Sequence, residues 1–168
     1  MGRSERRRVF DKLGVIGRGE DGHLHPTSAG LLMFGFEYEI VREYPHYFLD
    51  YQEQLDASMR WTDRIISSSG EWSGNVHDFY FRVYNRLSQT IKVPFKLEGG
   101  LRVDDTPVHK ALREVLANCL INADYYGPRG LVIIRKPDAI TVARTPAVSA
   151  STSRKRSTAA PPIPATRR

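Results

Sequence analysis

Glu114, Asn118 and Asn122 stand four residues apart in the stretch from Pro107 to Asp124, so on a helix they line one polar stripe. A carboxylate and an amide one turn apart can act together on a hydrated cation, the amide oxygen ligating the ion and the carboxylate orienting an attacking water. The same spacing also describes a solvated stripe on an ordinary amphipathic helix. If the stripe is a site, Glu114 and Asn118 should open on a common concavity roofed by the segment after Gly127. The apolar face beside it is read as Val108, Leu112, Val115, Cys119 and Ala123.

Other patterns carry less chemistry. Gly17-Arg18-Gly19-Glu20-Asp21-Gly22 matches the dinucleotide fingerprint by letter, but that motif needs a helix N-terminus next to meet the pyrophosphate. The next residues are instead His23-Leu24-His25-Pro26, and two acids in the turn would repel phosphate, so a hairpin turn is the reading. His23 and His25 share one side of a short extended segment, with no cluster at ligand spacing to complete a tetrahedral metal set. They read as surface histidines. A P-loop is absent, which excludes helicase action by this chain. Cys119 is the sole cysteine and rules out an intramolecular disulfide and a thiolate cluster.

The helix bearing the stripe starts at Thr106 as cap with Pro107 in its first turn, and runs to about Asp124. After the Gly127-Pro128-Arg129-Gly130 break, Leu131 to Ile134 is a buried strand, and Ala139 to Val142 returns as its hairpin partner. A core helix begins at Asn75, a good N-cap, with Val76, Phe79, Tyr80, Val83, Leu87 and Ile91 on one face. Residues 44 to 55 and 62 to 67 read as strands, and Val93 to Leu97 as a short one before a Gly99-Gly100 turn. At the N-terminus, residues 5 to 16 predict a short helix. A second, capped within Pro26-Thr27-Ser28, runs through Ala29 to Phe34, so the pair is a helical linker or part of a winged-helix unit.

The expected fold is α+β: residues 1–35 helical, 36–146 a mixed sheet packed by two amphipathic helices, and 147–168 a disordered basic tail. A length of 168 residues suits one such domain. The net charge of +6 comes mostly from the ends. Five of the 25 basic residues lie beyond residue 146 with no acid, and four arginines fall within the first eight residues. Such a distribution points to solvated basic ends, and any DNA contact through them is expected to be sequence-independent. With no apolar run near the roughly 20 residues that span a bilayer, no membrane is expected and a cytoplasmic protein is the reading.

Ala111 to Tyr126, with Gly130 to Ile134 and Asp138 to Val142, resembles the ATP-binding domain related to the C-terminal region of RecG-like proteins. Thr27 to Gly35 and Val93 to Gly99 resemble the linking region of the same predicted bacterial transcriptional regulators, which usually begin with a Schlafen-type AlbA-like DNA-binding domain. The resemblance covers about residues 9 to 144, and its Glu-x-x-x-Asn helix is similar to the N-box of GHKL ATPases. It implies ATP and magnesium as cofactors, with Glu114 as the water-orienting base, Asn118 as the magnesium ligand and Asn122 in the nucleotide site. The family often has histidine at position 122, and its Asn-Pro-Gly turn is here Arg144-Thr145-Pro146.

On this reading the chain is a fragment of an ATP-binding regulator, inactive alone, whose full-length form is the ATPase and which contacts DNA through an upstream domain or the basic ends. The alternatives are a nucleic-acid-binding module and a structural or homodimerising unit, the latter favoured by the aromatic residues between positions 34 and 84. The composition change at Thr145 further suggests a frameshifted tail: read one base earlier, Thr145 to Ala150 permits Asn-Pro-Gly-Gly-Phe-Arg, which restores the missing turn.

Overall fold

The computed structural model describes residues 3–89, 91, 97–98, 101–102 and 106–144. The tail from 147 onward, the Arg144-Thr145-Pro146 turn beyond Arg144, and the Gly99-Gly100 turn lie outside these residues, as does the predicted strand at Val93 except for its last residue. The fold is α+β, with a mixed sheet covered on one face by helices.

The chain opens with helix α1 (Arg3–Lys12), a hairpin of β1 (Ile16–Arg18) and β2 (Leu24–Pro26), then helices α2 (Ser28–Phe34) and α3 (Glu37–Glu43). The glycine-rich segment is thus the turn of an antiparallel hairpin, in which Ile16 pairs with Pro26. Ile16 therefore belongs to the hairpin, and α1 ends four residues earlier than its apolar spacing suggests. Thr27 caps α2 by accepting from the Gly30 amide at 3.0 Å, and its own amide donates to the Val15 carbonyl at 2.9 Å. At Gly30 a Cβ would stand 1.9 Å from that carbonyl oxygen, so only glycine lets α2 seat against the hairpin.

Helix α3 has no counterpart among the elements expected from sequence. Its first turn is held by the Glu39 carboxylate, which accepts from the Phe36 amide at 3.0 Å, and Ile40 is fully buried beneath it. Tyr44 ends this helix, so the strand expected from residue 44 is confined to β3 (Leu49–Glu53). Its antiparallel neighbour is β4 (Asp63–Ile66). Helix α4 (Val76–Ser88) comes next, with Asn75 accepting from the Asp78 amide at 2.8 Å as the expected N-cap. A two-residue pair, β5 (Leu97–Glu98) and β6 (Leu101–Arg102), precedes helix α5 (Pro107–Ile121), which ends three residues before Asp124.

Strands β7 (Leu131–Arg135) and β8 (Ile140–Arg144) form the predicted hairpin and complete the sheet in the order β4-β3-β7-β8. The central pair β3 and β7 is parallel. Leu49, Tyr51, Leu131 and Ile133 face Phe79, Val83 and Leu87 of α4 and Leu112, Leu116 and Leu120 of α5 in one core. The buried face of α5 is therefore His109, Leu112, Leu116 and Leu120, whereas Val108 and Val115 are exposed. That corrects the expected face by about one residue: both sets have three- and four-residue steps, and packing against α4 selects the leucines.

On the opposite face of β3, Asp50 receives a two-pronged bond from Arg64 (2.8 Å to each oxygen) and one from the Gln52 amide at 2.6 Å. At the strand's end Tyr51 donates to Glu53 at 2.7 Å, and Arg135 reaches the same oxygen at 3.1 Å. These carboxylates are buried and paired, and they join strands that are distant in sequence.

Candidate functional site

The C-terminal end of α5 borders a cavity of about 220 Å³. Cys119, Asn122 and Ala123 form one wall, Tyr47 and Phe48 before β3 form another, and Arg129-Gly130-Leu131 with Val142 and Ala143 of β8 close it. Gly130 is required here for close approach: a Cβ would lie 2.6 Å from the Phe48 carbonyl oxygen and 2.7 Å from the Phe48 Cβ. That approach lets the Leu131 amide donate to the Phe48 carbonyl at 2.9 Å, which starts the parallel pairing of β7 with β3.

The aromatic part of the wall is rigid. The Tyr47 and Tyr125 rings lie 5.8 Å apart; Tyr47 donates to the Gly74 carbonyl and Tyr125 to the Leu120 carbonyl, each at 2.8 Å. Burial pushes both phenols above the usual tyrosine range, so they remain protonated donors at neutral pH. Burial likewise raises the Cys119 thiol, which favours its neutral, protonated form in the wall.

The three residues of the polar stripe part company. Asn122 caps α5, donating through Nδ2 to the Asn118 carbonyl at 2.8 Å, and its side chain lines the cavity. That bond uses one amide donor and leaves the carbonyl oxygen of Asn122 available as an acceptor. Glu114 and Asn118 are exposed on the turns above it, and neither lines this cavity. By helix rise Glu114 stands about 12 Å along the axis from Asn122. The sequence signalled α5 and the segment after Gly127, whose Arg129-Gly130-Leu131 closes the cavity; Tyr47 and Phe48 arrive from elsewhere in the chain and bear no local mark.

Among the described residues no group of three His, Cys, Asp or Glu side chains could hold a metal ion. His25 is instead paired with Asp21 at 2.8 Å on the exposed hairpin, as fits a surface histidine. The cavity's lining is mixed: two tilted tyrosine rings, the Cys119 thiol and the Asn122 amide stand beside His46, Asp124 and Arg129. At about 220 Å³ the cavity is smaller than the roughly 300–1,000 Å³ of sites that enclose a whole drug-sized ligand. Glu114 and Asn118, which lie outside it, do not by themselves make a magnesium shell.

A family model described as a domain of unknown function (DUF8451) matches residues 3–50, that is α1 through the start of β3. No curated protein and no solved structure matches the chain. The matched segment contributes Tyr47 and Phe48 to the cavity and stops well before α5. Among the described residues no helix is long and apolar enough to cross a membrane.

Proposed function

We propose that α5 and the β7–β8 hairpin are the opening part of a nucleotide-binding domain in a regulatory protein, and that this chain binds the base without turning over ATP. The observation that carries the reading is the cavity beside Asn122, walled by Cys119, Phe48, Tyr125 and Val142 at the foot of the helix that bears the stripe. Glu114 and Asn118 do not open on this cavity, so the proposal rests on Asn122 and the aromatic wall and not on the whole stripe. Bound ATP and magnesium would supply the scissile phosphoanhydride and its charge neutralisation. The chain's own residues, as described, only bind and orient: Asn122 accepts from the exocyclic amine and the aromatic wall excludes water. Glu114 has no hydrogen-bonding or ion-pair partner among the described residues to fix it as a base.

The test is an amide NMR titration of the chain with adenosine and with ATP plus magnesium. Shifts should concentrate at Asn122, Gly130 and Ala143 and saturate only in the millimolar range, about 4 kcal/mol of binding. Cys119→Leu, which fills the cavity with an apolar side chain, should abolish them. Shifts confined to other surfaces, or unaffected by Cys119→Leu, would refute the proposal.

A further inference from the structure

A groove of about 620 Å³ runs between β4 and α4, on the side of the molecule away from β8. Its floor holds all four β4 residues, and its far wall is Arg82, Asn85, Arg86 and Gln89, a polar stripe of α4. β4 is an edge strand of the sheet, so part of its backbone turns toward this groove.

Which backbone groups do so is set by the ladder. Leu131 donates to the Phe48 carbonyl and Gln54 to the Arg135 carbonyl, so the even-numbered residues of β3 bond β7. The Leu49 amide donates to the Ser67 hydroxyl, so the odd-numbered ones turn to β4. Tyr51 with Ile65 and Glu53 with Asp63 are then the bonded pairs, and Arg64 and Ile66 direct their backbone outward. Two of these four outward groups are covered by the chain itself: the Arg64 amide donates to Asp63 Oδ1 at 2.9 Å, and Trp72 Nε1 donates to the Ile66 carbonyl at 3.1 Å. The Arg64 carbonyl and the Ile66 amide have no partner among the described residues.

That open pair has a direction. An antiparallel neighbour uses both groups of one residue, whereas a parallel neighbour lets one of its residues bond the carbonyl of residue i and the amide of residue i+2. The free groups here are of the second kind. A residue so held lies beside Ile65 and shares its face, which is the face packed toward α4. On that wall Arg86 is paired with Asp63, while Arg82 lies over the Trp72 ring at 5.2 Å, acts on the Asp78 carboxylate one turn back without a direct ion pair among the described residues, and shares the groove with Glu71.

We propose that this groove binds an extended segment of a partner protein, running parallel to β4, in which one residue bonds the Arg64 carbonyl and the Ile66 amide and presents a carboxylate to Arg82. Edge strand and helix have separate roles, since β4 supplies backbone affinity and α4 reads the side chain. The surface is separate from the nucleotide cavity, so neither proposal depends on the other.

The probe is a capped hexapeptide, Thr-Val-Thr-Glu-Thr-Val, titrated into the full chain and followed by amide NMR. Shifts should centre on Arg64 to Ile66 and on Arg82. Replacing the glutamate by lysine, or methylating its backbone nitrogen, should weaken binding about tenfold or more. Arg82→Glu should reverse the preference, favouring the lysine peptide. Should that variant fail to fold, Arg82→Gln and the two altered peptides on the unaltered chain still decide. The proposal is overturned by equal affinity for the glutamate and lysine peptides, by indifference to N-methylation, by shifts elsewhere, or by no shift at about 10 mM peptide. A concentration-dependent dimer that Arg82→Glu abolishes would give the groove to a second copy of this chain and likewise overturn the partner reading.

Discussion

Truncating Leu116 and Val115 separately distinguishes the two candidate faces of α5. Leu116 is 1% exposed in the core shared with α4, whereas Val115, its chain neighbour, is 48% exposed. Leu116→Ala removes buried methyl groups and leaves a void that the rigid aromatic and leucine neighbours fill only in part, at a cost of about 2–4 kcal/mol. Val115→Ala removes about two methyl groups whose transfer is only half realised, roughly 0.8 kcal/mol, and regains about 0.5 kcal/mol of helix propensity. The expected net change is therefore near zero. Against the roughly 5–15 kcal/mol typical of a domain, the first substitution is a large fraction and the second is barely visible. Urea unfolding followed by circular dichroism measures both, with equal m-values as the check that the unfolded state is unchanged. A loss for Val115→Ala equal to that for Leu116→Ala would refute the packing described here and restore the face built on Val108 and Val115.

Two more outcomes depend on charge. Asp78 is held below the usual carboxylate value near 3.8, first by the hydrogen bond from Ser73 and then by His77. A depressed folded pKa contributes stability that is present above the unfolded value and lost as pH falls through the lower folded one, so the deficit of Ser73→Ala seen in thermal melts at neutral pH should close in acid, once the pH lies below both values; a gap that persists or widens there would contradict the assignment. For DNA, deleting residues 147–168 removes five basic side chains, so binding to a non-specific duplex should weaken and its log–log salt slope should fall by at most about 4.5; sequence-selective binding that survives the deletion would instead point to α1 and the β1–β2 hairpin.

Asn75 with its apolar stripe, Thr106-Pro107, and the β7–β8 hairpin were legible because each signal is local. The Asn75 side chain satisfies an amide within one turn, proline is tolerated at the start of a helix even though the Thr106 hydroxyl bonds the His109 ring and caps no amide, and a two-sided apolar run next to a Pro-Asp turn closes on itself. Helix α3 was not legible, since its buried contribution is little more than Ile40 and its cap is a glutamate reaching back to Phe36. The strand expected over 44–55 was too long for the same reason: nothing local says that Tyr44 belongs to the helix before it.

The polar stripe illustrates the boundary most directly. Residue types and spacing sufficed to mark Glu114, Asn118 and Asn122 as one edge of a helix, because a helical period is a property of consecutive residues. They could not say that Asn122 alone reaches a cavity, since its other walls come from Phe48 and Gly130, more than 80 residues apart in the chain and joined only when β7 pairs with β3. The rotation of α5 onto its leucines and the exposed edge of β4 are likewise consequences of strand order and helix contact. Those are decided by which distant surfaces bury each other, a free energy that no single segment contains.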